Sequence, residues 1–189
     1  MAKIMDQLRE EHGNIARLLT VLERELAVFD RAEQPDYEVL NSIAAYFVGF
    51  PEQVHHPKED LVLARLQEVD PEAAAAVGDL ESEHERISGL AQTLRQAVDN
   101  VLRDAEMPRV AFHTVVRDFI TEQRKHMQKE ETRFFPVAEK ALKPEDWESL
   151  DADAARVPDP LFGPRGAREF AKLYADIVAW EEEDQTATG

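Results

Sequence analysis

No cysteine occurs among the 189 residues, so disulfides, thiolate metal sites and cysteine nucleophiles are excluded. Basic side chains are scarce: 22 Lys and Arg face 39 Asp and Glu, a net charge of −17. That balance argues against nucleic acid, whose phosphates call for a basic surface, and against an anionic membrane face. No run approaches the ~20 apolar residues of a membrane span, and Met1-Ala-Lys-Ile-Met-Asp-Gln lacks the apolar stretch of a signal peptide. The expected location is therefore the cytoplasm. Strand signals are also missing, with neither alternating β-branched runs nor Asn-Gly or Asp-Gly hairpin turns.

Helical periodicity is what remains, over a 43% hydrophobic and 32% charged composition typical of one globular domain. A first helix is predicted over Lys3 to Phe29, its stripe Ile4, Leu8, His12, Ile15, Leu19, Leu22, Leu26 spaced three and four apart. A second runs from Asp36 to Val69 through Phe47, His55, Glu59 and Val62, with Pro57 predicted to kink or bulge it rather than end it. A third spans Asp70 to about Asp104, with Leu80, His84, Ile87 and Leu94 inward, and a fourth spans Arg109 to Leu142, with Phe119, His126, Glu130 and Phe134 inward. Short connectors between four long helices predict an all-α, antiparallel up-down-up-down four-helix bundle over 1–142. Residues 143–189 read as a C-terminal helical extension packing on the bundle or on a second subunit. It comprises a short helix from Pro144, an irregular loop at 157–164, a helix from Arg165 to about Glu182 and a frayed end.

The chain repeats itself. His55-His56-Pro-Lys-Glu59-Asp60 and His126-Met-Gln-Lys-Glu130-Glu131 share His-x-x-Lys-Glu-acid, and Glu11-His12-x-x-Ile matches Glu83-His84-x-x-Ile. His12 precedes His55 by 43 residues, and His84 precedes His126 by 42. A histidine and a glutamate four apart share one helix face, about 6 Å from each other, within reach of one metal ion. At 1.5 Å per residue, His12 and His55 lie about 18 and 20 residues from the first turn, so their levels match. Glu59 with His84, and His84 with His126, match in the same way across the later turns. Burying two carboxylates and several imidazoles in one layer without compensation is costly, and coordination compensates it. Two metal ions bridged by Glu59 and Glu130 would use every ligand. Imidazole and carboxylate without sulfur suit iron, and zinc or manganese less distinctively.

With these motifs in view, residues 1–142 resemble the hemerythrin family, in its bacterial HHE cation-binding branch. The resemblance implies a non-haem di-iron centre of two iron ions bridged by two carboxylates and a solvent oxygen (oxo or hydroxo). It also implies binding of dioxygen or a related small molecule such as nitric oxide or peroxide. Carried over by position, His12, His55, His84 and His126 are terminal ligands, and Glu59 and Glu130 bridge. His56 stands in for the fifth imidazole, since the oxygen carriers place a second histidine one turn from the helix-three histidine, where this chain has Leu80 and Ser88. Those carriers also set the last carboxylate five residues past its histidine, here Glu131, against four for Glu130. These departures weigh against simple oxygen carriage. They favour sensing, redox turnover of peroxide or nitric oxide, or iron handling. The expected partners are thus a diatomic ligand such as O2 or NO, in a monomer or homodimer with no nucleic acid and no membrane.

Several residues are expected to stand outside the centre. A ferritin-like arrangement through Glu52-x-x-His55 and Glu81-x-x-His84 is disfavoured because its pairs fall on adjacent helices. His113 is expected at the surface and Tyr46 in the core. Lys58, Lys129 and the glutamate run at 81–85 are expected to face solvent.

Overall fold

The computed structural model describes residues 2–154, 157–163 and 170–187, with the backbone alone for 181–187. Its helices are α1 (Lys3–Asp30), α2 (Tyr37–Phe50), α3 (His56–Val69), α4 (Pro71–Val77), α5 (Leu80–Leu102), α6 (Arg109–Lys129), α7 (Phe135–Ala141), α8 (Pro144–Asp153) and α9 (Ala171–Ala187). No strand occurs among the described residues. α2 packs on α5, α5 on α6 and α6 on α1, which closes the all-α bundle. None of these helices is long and apolar enough to cross a membrane.

The second and fourth long helices each continue through a wide π turn, Pro51–His55 between α2 and α3 and Glu130–Phe134 between α6 and α7. The cause is visible in the sequence. His56 N–H bonds to the Pro51 carbonyl, five residues back, and Phe135 N–H bonds to that of Glu130. The next residue in each case is a proline, Pro57 or Pro136. A proline has no N–H and its ring collides with the carbonyl four residues earlier, so an extra residue in the preceding turn relieves that collision. The bulge expected at Pro57 therefore lies just before it. The turn before Pro136 is a second bulge, in a fourth helix expected to run without one.

The expected third helix is broken rather than continuous. Asp70 caps α4 by accepting from Ala73 N–H, and α4 ends at Gly78, whose φ of 94° suits glycine alone. Asp79 then caps α5 through Ser82 N–H. In the extension, Leu161, Phe170, Leu173 and Ile177 join the bundle's apolar core. The helix expected from Arg165 begins at Ala171 in the described backbone, residues 164–169 lying outside the described residues, and it stays helical to Ala187 instead of fraying from Glu181.

Two apolar clusters fill the interior. One is built around Ile15, Leu19, Phe47, Leu94 and Phe119, the other around Met5, Leu8, Val62, Leu80 and Phe134. On each long helix the break between them falls at the histidine and glutamate positions: His12 lies between Leu8 and Ile15, and His84 between Leu80 and Ala91.

Candidate metal centre

All seven residues singled out in the sequence lie in that break, each buried: His12, His55, His56, Glu59, His84, His126 and Glu130. Glu59 and Glu130 have no exposed surface and sit at its middle. Imidazole Nε2 atoms surround them. His12 Nε2 is 3.5 Å from Glu59 and 3.3 Å from Glu130, and His55 Nε2 is 3.5 Å from Glu59. On the other side His84 Nε2 lies 3.4 Å from Glu59 and 3.5 Å from Glu130, and His126 Nε2 2.9 Å from Glu130. Two groups of ligand atoms, each within 4.8 Å of one another, result: His12, His55 and Glu59, and His56, Glu59, His84 and His126. Glu59 belongs to both.

The opposite ring nitrogens are held by a duplicated carboxylate network. Glu11 Oε2 is 2.9 Å from His55 Nδ1, and its other oxygen accepts from Lys58 Nζ. In the second half Glu83 Oε2 is 3.2 Å from His126 Nδ1, and Lys129 donates to Glu83 at 2.6 Å. The lone histidines are held crosswise. His12 Nδ1 meets Glu131 from the second half at 2.8 Å, and His84 Nδ1 lies 3.2 Å from Asp60 of the first, close but not aligned as a hydrogen bond. A carboxylate on Nδ1 fixes the ring and turns Nε2 inward, the arrangement that usually supports a metal-bound histidine.

Lys58 corrects the sequence expectation, because it is buried rather than solvent-facing. The repeat contains this network as Glu11-His12, Glu83-His84 and the acid ending each His-x-x-Lys-Glu-acid motif, and Glu131, a candidate ligand by position in the oxygen carriers, serves instead as a ring support. The 81–85 run is likewise no plain solvated face, since Glu83 anchors His126.

Electrostatics of the layer show how strongly it attracts positive charge. Burial alone would lower the His12 pKa, but the carboxylates of Glu130 and Glu59 beside its Nε2 lift it to about 10. His84 likewise overcomes burial, through Asp60, Glu130 and Glu59, and reaches about 11. Burial pushes both glutamates up, and for Glu59 so does the charge of Glu130, but the imidazoles around them prevail and hold both below the ordinary carboxylate range. His56 differs: burial, only partly offset by Glu52, lowers its pKa and keeps it neutral, the form that ligates.

His56 is stacked on His84 with ring centroids 4.2 Å apart. Ser88 is near it, at the edge of the same hollow. The π turn explains how adjacent His55 and His56 both face inward: a wider turn narrows the angle between neighbours below the about 100° of an α-helix. Glu130 rather than Glu131 points to the middle, as Glu131 has a 37% exposed side chain and binds His12 from outside. His113 stands apart beside Asp30, and Tyr46 is a core residue whose hydroxyl donates to Asp159 at 2.9 Å.

Does this donor set fit a metal? Nε2 of His12, His84 and His126 and all four oxygens of Glu59 and Glu130 are buried with no hydrogen-bond partner. Atoms about 2.1 Å from a common ion and at right angles stand roughly 3 Å apart, close to the separations observed. Unsatisfied buried carboxylates and imidazoles would each cost several kcal/mol, and cations remove that cost. Fold and layer together define a helical-bundle protein with a histidine–carboxylate metal site. The sequence model of the Hemerythrin HHE cation binding domain matches residues 3–138, and the chain belongs to that family. No curated protein and no solved structure gives a match.

Proposed function

We propose that the layer holds two iron ions and that the loaded protein binds or senses a small molecule such as dioxygen, nitric oxide or peroxide. One observation carries this reading: Nε2 atoms from four helical segments converge on Glu59 and Glu130 while their Nδ1 atoms are turned to carboxylates. His12 and His55 would hold one ion, His84, His126 and His56 the other, and Glu59 and Glu130 would serve both. Ferrous ions held there would supply electrons and affinity for a diatomic ligand. The chain's own residues keep the imidazoles oriented and exclude bulk water with the apolar clusters above and below.

Redox turnover of peroxide or nitric oxide is the second reading. It is favoured by the cavity of about 480 Å³ that opens against His56 and His84, where a closed pocket would protect an adduct. Anaerobic reconstitution with ferrous iron followed by exposure to oxygen separates the readings. An adduct that reverses on degassing supports binding or sensing, and repeated consumption of added peroxide supports turnover. Metal analysis of the isolated protein tests the centre itself. Two irons per chain are expected, and Glu59→Ala or Glu130→Ala is expected to lose at least one of them. His113→Ala, remote from the layer, is expected to keep both. Normal stoichiometry in either glutamate variant refutes the bridging assignment.

A further inference from the structure

Three hollows among the described residues reach the layer or its anchors, and their charges differ. One, of about 460 Å³, lies under the loop at 157–163 and stops at the Glu11–Lys58 ion pair. A second, of about 280 Å³, touches His126 and is rimmed by Arg86, Lys125, Lys129 and Arg133 against a single acid, Glu83. The third, of about 480 Å³, is lined by Glu52, Asp60, Glu81 and Glu85 with no lysine or arginine, and it ends on His56 and His84.

Resting on the metal-centre reading, we propose that the third hollow is the port through which a hydrated divalent cation enters, with Glu81 and Glu85 capturing it and His56 receiving it. His56 makes the case independently of the acidic rim. It is 96% buried (4% exposed), it lines the hollow, and neither ring nitrogen makes a hydrogen bond. Glu52 Oε1, 3.4 Å from His56 Nδ1, is the nearest carboxylate to it. Glu81 and Glu85 are exposed, four residues apart on one face of α5, and no lysine or arginine pairs with them among the described residues. Like charges at that spacing repel, a cost to the helix that a visiting cation relieves. At the second mouth a dication would meet Lys125 and Arg133 beside the Lys129–Glu83 and Arg86–Glu122 ion pairs, and the first, though it carries Glu10 and Asp159, ends on the closed Glu11–Lys58 pair rather than on an unpartnered histidine. A concave, single-sign mouth raises the local concentration of its counter-ion and speeds its capture.

The test follows Co2+ uptake by the metal-free full chain in a stopped-flow instrument, reading the ligand-field absorption of the bound ion. The Glu81→Gln/Glu85→Gln double variant is expected to bind Co2+ about tenfold more slowly at low ionic strength. It is expected to reach the parent's final stoichiometry, with the gap closing as salt approaches about 1 M. Glu10→Gln, at the rim of the first hollow, is expected to load at the parent's rate. A double variant that loads as fast as the parent, or a Glu10→Gln variant slowed as much, overturns the port and leaves the centre standing. A parent that takes up no Co2+ overturns the centre, and the port with it.

Discussion

Lys58 and Lys129 occupy the same place in the two halves, each donating to the glutamate that holds a histidine, yet their surroundings differ. The side chains of Lys58 and Glu11 are 3% and 9% exposed, while those of Lys129 and Glu83 are 19% and 26% exposed. Removing one partner of a buried pair leaves an uncompensated charge, at a cost of about 3–5 kcal/mol, against about 1 kcal/mol or less for an open one. Lys58→Ala is therefore expected to lower the urea midpoint of the full chain well beyond Lys129→Ala, and equal losses would refute the asymmetry. Glu11→Gln keeps the shape of the His55 support but weakens its charge, and metal affinity measured by chelator competition is expected to fall about 10–100-fold. At this scale the inward-facing residues were legible, because a histidine interrupting an apolar stripe is visible in one dimension. Burial of Lys58 was not, because it depends on Glu11 arriving from another helix.

Two π turns adjust the long helices to their load. The first ends on His55, the opening residue of the His55/Glu59 pair, and the second begins on Glu130, the closing residue of the His126/Glu130 pair, so the halves share the pair and differ in backbone. Gln53 is an exposed residue of the first turn. Deleting it removes one residue from that turn and leaves α2 and α3 in register. The helical circular dichroism is expected to persist, while metal content falls because His55 and His56 no longer both face inward. Stability is expected to drop by about 3 kcal/mol as Pro57 meets a regular helix. Full metal content in this variant would show that the wide turn is dispensable. Pro57 announced its distortion in the sequence, and Pro136 offered the same signal in helix four. The break at Gly78 was missed because helical periodicity resumes so soon after it, at Leu80, that α4 and α5 read as one stripe.

Across the whole molecule, the layer that ties the bundle together also divides its apolar interior, so stability is linked to what occupies it. In the metal-free chain His12 and His84 hold protons up to about pH 10 and 11, against 6.5 for an ordinary histidine. Their folded values are raised, so the stabilisation is complete below about pH 6.5 and is lost as pH climbs through 10 to 11. The thermal midpoint of the metal-free chain is expected to fall over that window. Metal binding displaces those protons, so loading at neutral pH is expected to acidify a weakly buffered solution. A midpoint that rises between pH 8 and 11 would contradict the sign. The topology of four long helices was legible from spacing and connector length alone, whereas the extension's seat on the core was not, since a short apolar stripe does not name its partner. The crosswise supports carry a last consequence. Glu131 steadies His12 and Asp60 stands by His84, so neither half of the chain owns a finished socket. A fragment ending before α4 would leave His12 without Glu131, and one starting there would leave His84 without Asp60, so both halves must be present together before both rings are braced.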